Sequence, residues 1–325
     1  MGAGVSDQNG VKHLIARHAA GLVWLARYME RIENLARLLD VTRTFARDSD
    51  DTASWLSILR INSDEKEFFE AHKEANADTI TRFYLLERGN PSAVQTAIYM
   101  ARENARTLRA LISTEMWLQI NIFHGRIRAL TESDLVADHL TAVCTMLKEG
   151  TQAHTGITEG TFYRDQCWNF YMIGRYLERA DQTTRLLDIK FNALLPSAAT
   201  ADANVDAGQW NTLLRAAAGY HAYRREHPNG FTPPEVAGFL LLNGLFPRSV
   251  RLNLAQLEWH LTQLHGQYHL RGAALALERL DMLRGLLVTQ TIEQILARGL
   301  SPFLDYVQSQ IGALHGDIMT GLCGE

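Results

Sequence analysis

The string Arg-Tyr-x-Glu-Arg occurs twice, at Arg27–Arg31 and Arg175–Arg179, each time inside a segment that otherwise reads as buried helix. The two copies, "LVWLARYMERIENLARLLDV" and "FYMIGRYLERADQTTRLLDI", agree at 8 of 20 positions. On a helical wheel at about 100° per residue, Arg31 falls between Leu38 and Trp24, on the face filled by Leu25, Ile32, Leu35 and Leu39. Glu33, Arg37 and Asp40 fall on the far side and read as a solvated face. In the second copy Arg179 takes the same place, between Leu186 and Met172, and Arg175 and Glu178 match Arg27 and Glu30. A buried guanidinium is costly unless it is paired and hydrogen-bonded. The nearest carboxylates in the pattern are Glu30 and Glu178. The two helices are therefore expected to pack face to face about an approximate two-fold axis, with Glu30 on Arg179 and Glu178 on Arg31. Arginine suits this role, because its planar fork can hold a carboxylate through two parallel hydrogen bonds.

The rest of the chain also carries helical apolar spacing, and no alternating β-branched run with turn punctuation interrupts it. The expected fold is all-α, a multi-helix bundle forming a single domain over 1–325. The 7 prolines stand at the breaks, at Pro91, Pro196, Pro228, Pro233, Pro234, Pro247 and Pro302. Helices are predicted near Val11–Arg47, Thr52–Ile61, Asp64–Ala75 and Asp78–Glu87. The next begins with Asn90 as cap and Pro91 in the first turn and runs to Leu111. Ser113–Phe123 and Glu132–Glu149 follow, and Glu149–Asp165 reads as mostly irregular. Beyond lie Asp165–Leu195, Gln209–Arg225, Pro234–Leu242, Pro247–Leu264, Arg271–Arg298 and Pro302–Gly321. Pro196–Gly208 is apolar-poor and reads as a linker-like loop, and Arg225–Pro234 reads as a loop. The repeated helix suggests an internal duplication over 11–150 and 160–325. A weaker second match sets "RENARTLRAL" from Arg102 against "RLNLAQLEW" from Arg251.

Charge and cysteine usage narrow the function. The 325 residues carry a net charge of −4, against a general electrostatic binder of nucleic acid. Cys144, Cys167 and Cys323 fit no zinc or redox spacing, which points to a reducing, cytoplasmic setting. No apolar run is long enough to span a membrane. The first residues match the myristoylation pattern through Gly2 and Ser6, a pattern short enough to arise by chance. No Gly-rich phosphate loop, nucleophile elbow or Glu-x-x-His pair is present, so no cofactor is implied. His260, His265 and His269 lack the carboxylate partners of a metal site.

Two further arginine groups stand out. Arg102, Arg106 and Arg109 lie within about 60° of one another on a helix, opposite Ala97, Ile98, Ala101 and Leu108. They form either a solvated face or an anion site, with Glu103 placed to tether one of them. In "FPRSVR", Arg248 and Arg251 fall in the first turn after Pro247, where free backbone N–H groups favour an anion. The plainer reading there is surface charge.

The two "RY[ML]ER" copies, the "ARENARTLRALISTEMW" segment and "FPRSVR", in this order, resemble the bacterial alpha-E family, an all-helical family named for its Glu-Arg motif. The resemblance runs from about His13 to the C-terminal helix, and the matching motif residues are Glu30, Arg31, Glu178 and Arg179. Proteins of that family typically read Ala-Glu-Asn before the first motif helix. Here Ala20 and Gly21 stand in place of Glu and Asn, so the acidic residue is missing. The resemblance implies an accessory protein of a system built on a circularly permuted ATP-grasp ligase and a transglutaminase-like protein. Such a protein would bind the ligase, or a peptide or amino-acid substrate, through the paired Glu and Arg residues. Two alternatives stay open: an enzyme using Glu30 and Glu178 as acid and base in amide chemistry, and a scaffold in which the pairs only fix packing.

Overall fold

The computed structural model describes residues 14–45, 52–194 and 203–324. The first half comprises α1 (Ala16–Phe45), α2 (Thr52–Asn62), α3 (Glu65–Ala71), α4 (Ala77–Leu85), α5 (Val94–Thr107), α6 (Thr114–Arg128) and α7 (Ala137–Thr161). The second comprises α8 (Gln166–Leu194), α9 (Ala203–Ala216), α10 (Tyr220–Glu226), α11 (Pro233–Leu242), α12 (Val250–Gly266), α13 (Ala273–Thr289), α14 (Ile292–Arg298) and α15 (Leu300–Ile318). A π-helical turn, Met319–Cys323, ends the described chain. No strand occurs among the described residues, and no described helix is long and apolar enough to cross a membrane. The fold is an all-α bundle.

Two long helices form its axis. α1 packs along α8, and each has its own outer helices. α1 is flanked by α5 and α7, with α6 joining those two. α8 is flanked by α12 and α15, with α13 joining them. The packing order thus runs parallel on the two sides of the α1–α8 seam. Small residues let the axis close. The carbonyl of Val23 on α1 occupies the place a side chain at Gly174 on α8 would need. Ala26, matching Gly174 in the repeat, is buried on α1. Around this seam Leu22, Val23, Leu25, Ile32 and Leu39 from α1 and Ile173, Leu177 and Leu187 from α8 are fully sealed, giving the crossing its hydrophobic stabilisation.

Several boundaries differ from the sequence expectation, each for a physical reason. The segment 149–161, read as irregular, is helix and belongs to α7. Its three glycines and many threonines lower intrinsic propensity, and its buried face is polar: Thr151, His154 and Thr158 are all sealed. Gly150 also lets the Phe123 ring lie against the backbone. The helix expected over 209–225 is two, broken at Ala218, whose φ of 56° is left-handed. The helix expected over 271–298 also divides, where Thr291 caps α14 through a reciprocal box with Gln294. Residues 203–208, part of the linker-like stretch, are the first part of α9. Residues 196–202, and the myristoylation pattern at Gly2 and Ser6, lie outside the described residues.

Asn90 does not cap α5. Its Oδ1 accepts from the Ser92 N–H at 2.8 Å in a turn, and α5 begins only at Val94. Arg102 therefore sits mid-helix in α5, whereas Arg251 sits in the first turn of α12. The weaker repeat match thus sets a mid-helix residue against a first-turn one. Cys144, Cys167 and Cys323 are buried and form no disulfide among the described residues, and burial pushes Cys144 and Cys167 up to about 12, so neither of these two is a reactive thiolate.

Candidate functional site

The α1–α8 seam carries a buried ionic network. Glu178 is completely sealed, and its two oxygens accept from Arg27 Nε and Arg31 Nε, both at 2.7 Å. Gln182 adds an amide donor at 3.1 Å. Across the seam Glu30 accepts from Arg179 Nε at 2.8 Å, and Arg175 Nε lies 3.3 Å from its other oxygen. Each motif glutamate is thus held by the two motif arginines of the other helix. The pairs expected from the wheel, Glu30 with Arg179 and Glu178 with Arg31, are present, and Arg27 and Arg175 complete each fork. The local cause is helical spacing: residues four apart on one helix reach across together to a single carboxylate.

Two further residues make the network asymmetric. Arg248, just before the Ser249 cap of α12, is buried. Its Nη2 lies 2.9 Å from Glu33, its Nη1 donates to Asn34 at 2.7 Å, and the same nitrogen lies 3.7 Å from Glu30. Its backbone carbonyl accepts from the Thr183 hydroxyl at 2.8 Å. Glu33 in turn holds Arg37 at 2.7 Å. Two expectations change here. Glu33 does not lie on a solvated face but is buried, and Asp40 pairs with Lys148 at 2.6 Å. Nor is Arg248 surface charge at a helix N-terminus. The Ser249 side chain accepts from Leu252 N–H in that position, and Arg251 alone stays on the exposed first turn. The loop bearing Arg248 covers this side of α1, which a wheel of α1 by itself cannot show.

The electrostatics follow from this packing. Burial pushes the Glu178 carboxyl up, but the charges of Arg27 and Arg31 and their hydrogen bonds overcome it and hold it at about 2. Glu33 is treated the same way: burial opposes, and Arg248 and Arg37 bring it to about 2. Burial lowers Arg248, only partly offset by Glu33. Beside this side of the network opens a crevice of about 20 Å³ between Asn34, Gln182, Thr183 and Arg248, room for about one water. Solvent reaches the network at Arg31, 34% exposed at its side chain. There its guanidinium lies 5.6 Å from the Trp24 ring, and Trp24 stacks on Tyr28.

The α5 arginines separate. Glu103 tethers two of them, at 3.0 Å from Arg102 Nη1 and 2.8 Å from Arg106 Nη2. Arg109 lies beyond the end of α5 and rests 4.9 Å from the Trp117 ring. Of the three, Arg102 reaches a substantial cavity, a cleft of about 560 Å³ between α5 and α6. Arg88, His124 and Arg128 join it there. None of these three stands out in the sequence: His124 and Arg128 share a face of α6 by their spacing, but only packing brings Arg88, from the turn before α5, and Arg102 to them. Among the described residues no cluster of side chains suits a metal ion.

The Alpha-E family, described as a predicted alpha-helical domain with a conserved ER motif, matches residues 14–320. The chain belongs to the Alpha-E family. The Glu-Arg dipeptides Glu30–Arg31 and Glu178–Arg179 are the elements that face each other across the α1–α8 seam of this Alpha-E protein. Two curated relatives, uncharacterized proteins of Mycobacterium bovis and Mycobacterium tuberculosis, are each 25% identical over 273 residues. The match takes in 77% of this chain but 30% of each relative. The Alpha-E chain thus spans less than a third of the relatives it matches. No solved structure matches it.

Proposed function

We propose that this Alpha-E chain is a non-catalytic accessory protein of a cytoplasmic ATP-grasp amide- or peptide-ligase system. The single observation that carries the accessory reading is the state of Glu178. A proton-transfer group must meet its substrate and titrate near the working pH. Glu178 is sealed, is held at about 2, and has both oxygens engaged by arginines. Such a carboxylate stays ionised and fixed, which suits a frame and not an acid–base pair. A second observation is consistent with this role: in the mycobacterial relatives the matching stretch is joined to a much longer chain. The ligase and the transglutaminase-like protein are the partners implied by the family resemblance.

The contact point is the solvent edge of the network, where Arg31 stands beside Trp24 and Tyr28. Arg31 has cationic donors to offer a carboxylate of the ligase or its peptide substrate, and the flanking rings supply apolar area. Arg27 keeps its own bond to Glu178, so losing Arg31 leaves Glu178 paired. The test is copurification with the ATP-grasp protein encoded in the same organism, with product yield measured with and without the chain. The expected result is a complex and a raised yield. Arg31→Met should weaken the complex at least tenfold while the melting temperature changes little. A ligase that neither binds the chain nor responds to it would overturn the reading.

A further inference from the structure

We infer that the cleft between α5 and α6 is a binding site for a small anionic ligand, a carboxylate or phosphate carried on an apolar or aromatic body. This goes beyond the accessory role and does not depend on it. At about 560 Å³ the cleft has the size of a small-molecule pocket. Its charge is one-sided: Arg88, Arg102 and Arg128 line it, and no carboxylate does. This local excess lies on a chain whose net charge is −4.

The three guanidiniums are unequally engaged. Arg102 spends Nε on Asn121 at 2.8 Å and Nη1 on Glu103 at 3.0 Å and lies 5.6 Å from the Trp117 ring, which fixes it in place, and its Nη2 makes no hydrogen bond among the described residues. Among the described residues Arg88 uses only Nε, on the neutral amide of Gln95 at 3.2 Å. Arg128 makes no ion pair among the described residues. One anchored and two adaptable forks can converge on an anion, and guanidinium geometry matches carboxylate and phosphate oxygens. His124 stands with them. Burial and the charges of Arg102 and Arg128 lower its pKa, so it is neutral at pH 7 and adds a hydrogen bond in place of a charge.

The remaining lining is apolar. Ile98 and Ile127 form a sealed floor. Tyr99 is 52% exposed and Met100 38% exposed at the rim, an aromatic face and an adaptable thioether for an organic body. An inorganic ion would use only the cationic half of this lining. A ligand with an anionic head and an apolar tail would use both halves.

The experiment is isothermal titration of the full chain with four probes that share a linear alkyl tail and differ in head group: octanoate, octyl phosphate, octyl glucoside and octyltrimethylammonium. Octanoate or octyl phosphate should bind, with the neutral and cationic probes at least tenfold weaker. The stronger of the two anions identifies the head group. Arg88→Gln/Arg128→Gln should reduce anion affinity at least tenfold, and raising the salt should weaken wild-type binding in the same direction. Should the double variant lose its fold, the methyl resonance of Met100 in the wild-type protein gives an independent reading. It should shift with the anionic probes and stay still with the cationic one. Absence of binding by both anions, equal binding of octyl glucoside, or an unmoved Met100 methyl would overturn the assignment.

Discussion

Single residues set the most sensitive point of this protein. Glu178, itself sealed, holds the buried Arg27 and the partly exposed Arg31. Glu178→Gln removes the charge with little change of shape and leaves Arg27 buried without a counter-ion. We expect a loss of about 3–5 kcal/mol in urea unfolding at pH 7. The triple replacement Arg27→Met/Arg31→Met/Glu178→Met should regain most of that loss, because a well-packed apolar cluster avoids the desolvation of all three charges. A Gln variant within about 1 kcal/mol of wild type would show that the pairing contributes little. The importance of this residue was legible: an arginine on an apolar stripe demands a carboxylate, and the repeat supplies one. Glu33 was not legible, since its burial comes from Arg248 and a distant loop.

The elements are joined by close approaches that depend on single atoms. At the α1–α8 crossing, a side chain at Gly174 would meet the Val23 carbonyl. Backbone cannot yield as a side-chain tip can, so Gly174→Ala should push the two helices apart and cost about 2–3 kcal/mol or more. Gly156 on α7 is the contrasting case. It is exposed and nothing lies within 4 Å of an added methyl. Gly156→Ala should therefore stabilise by roughly 0.5–1 kcal/mol through the unfolded chain and helix propensity. Melting curves of the two variants should move in opposite directions. Helix ends with a local cause were partly legible, as at Ser113, whose side chain caps α6, although the equally local box of Thr291 with Gln294 was passed over. The end of α9 was not legible, because the run of alanines favours helix and the left-handed turn falls on Ala218 and not on the following glycine. Gly219 there stands against the rings of Phe246 and Phe239.

The whole molecule should respond to acid in two stages. Burial lowers His154 to about 3 and His260 and His315 to about 4, all below the ordinary value of 6.5. The unfolded chain binds those protons first, so stability is fully present above about pH 6.5 and falls as pH drops toward 4. Glu178 and Glu33, held at about 2 against an ordinary 4.5, add a second loss that begins near pH 4.5 and continues through 2. Thermal unfolding between pH 8 and 3 should show both limbs. His154→Gln should flatten the upper limb and leave the lower one. A melting temperature constant from pH 7 to 5 would contradict the assignment of three neutral histidines, two buried and one half-buried.

The sequence by itself determined the helical class, the two long helices of the seam and the exchange of glutamates between their arginines. These depend on periodicity and on the cost of an unpaired buried charge, both of which act over a few turns of one helix. Only the tertiary structure decided that Arg248 and Glu33 join the network, that 149–161 is helix on a polar buried face, and that Arg88, Arg102, His124 and Arg128 meet around one cleft. Those outcomes depend on which surfaces the long-range packing covers, and no stretch of neighbouring residues carries that information.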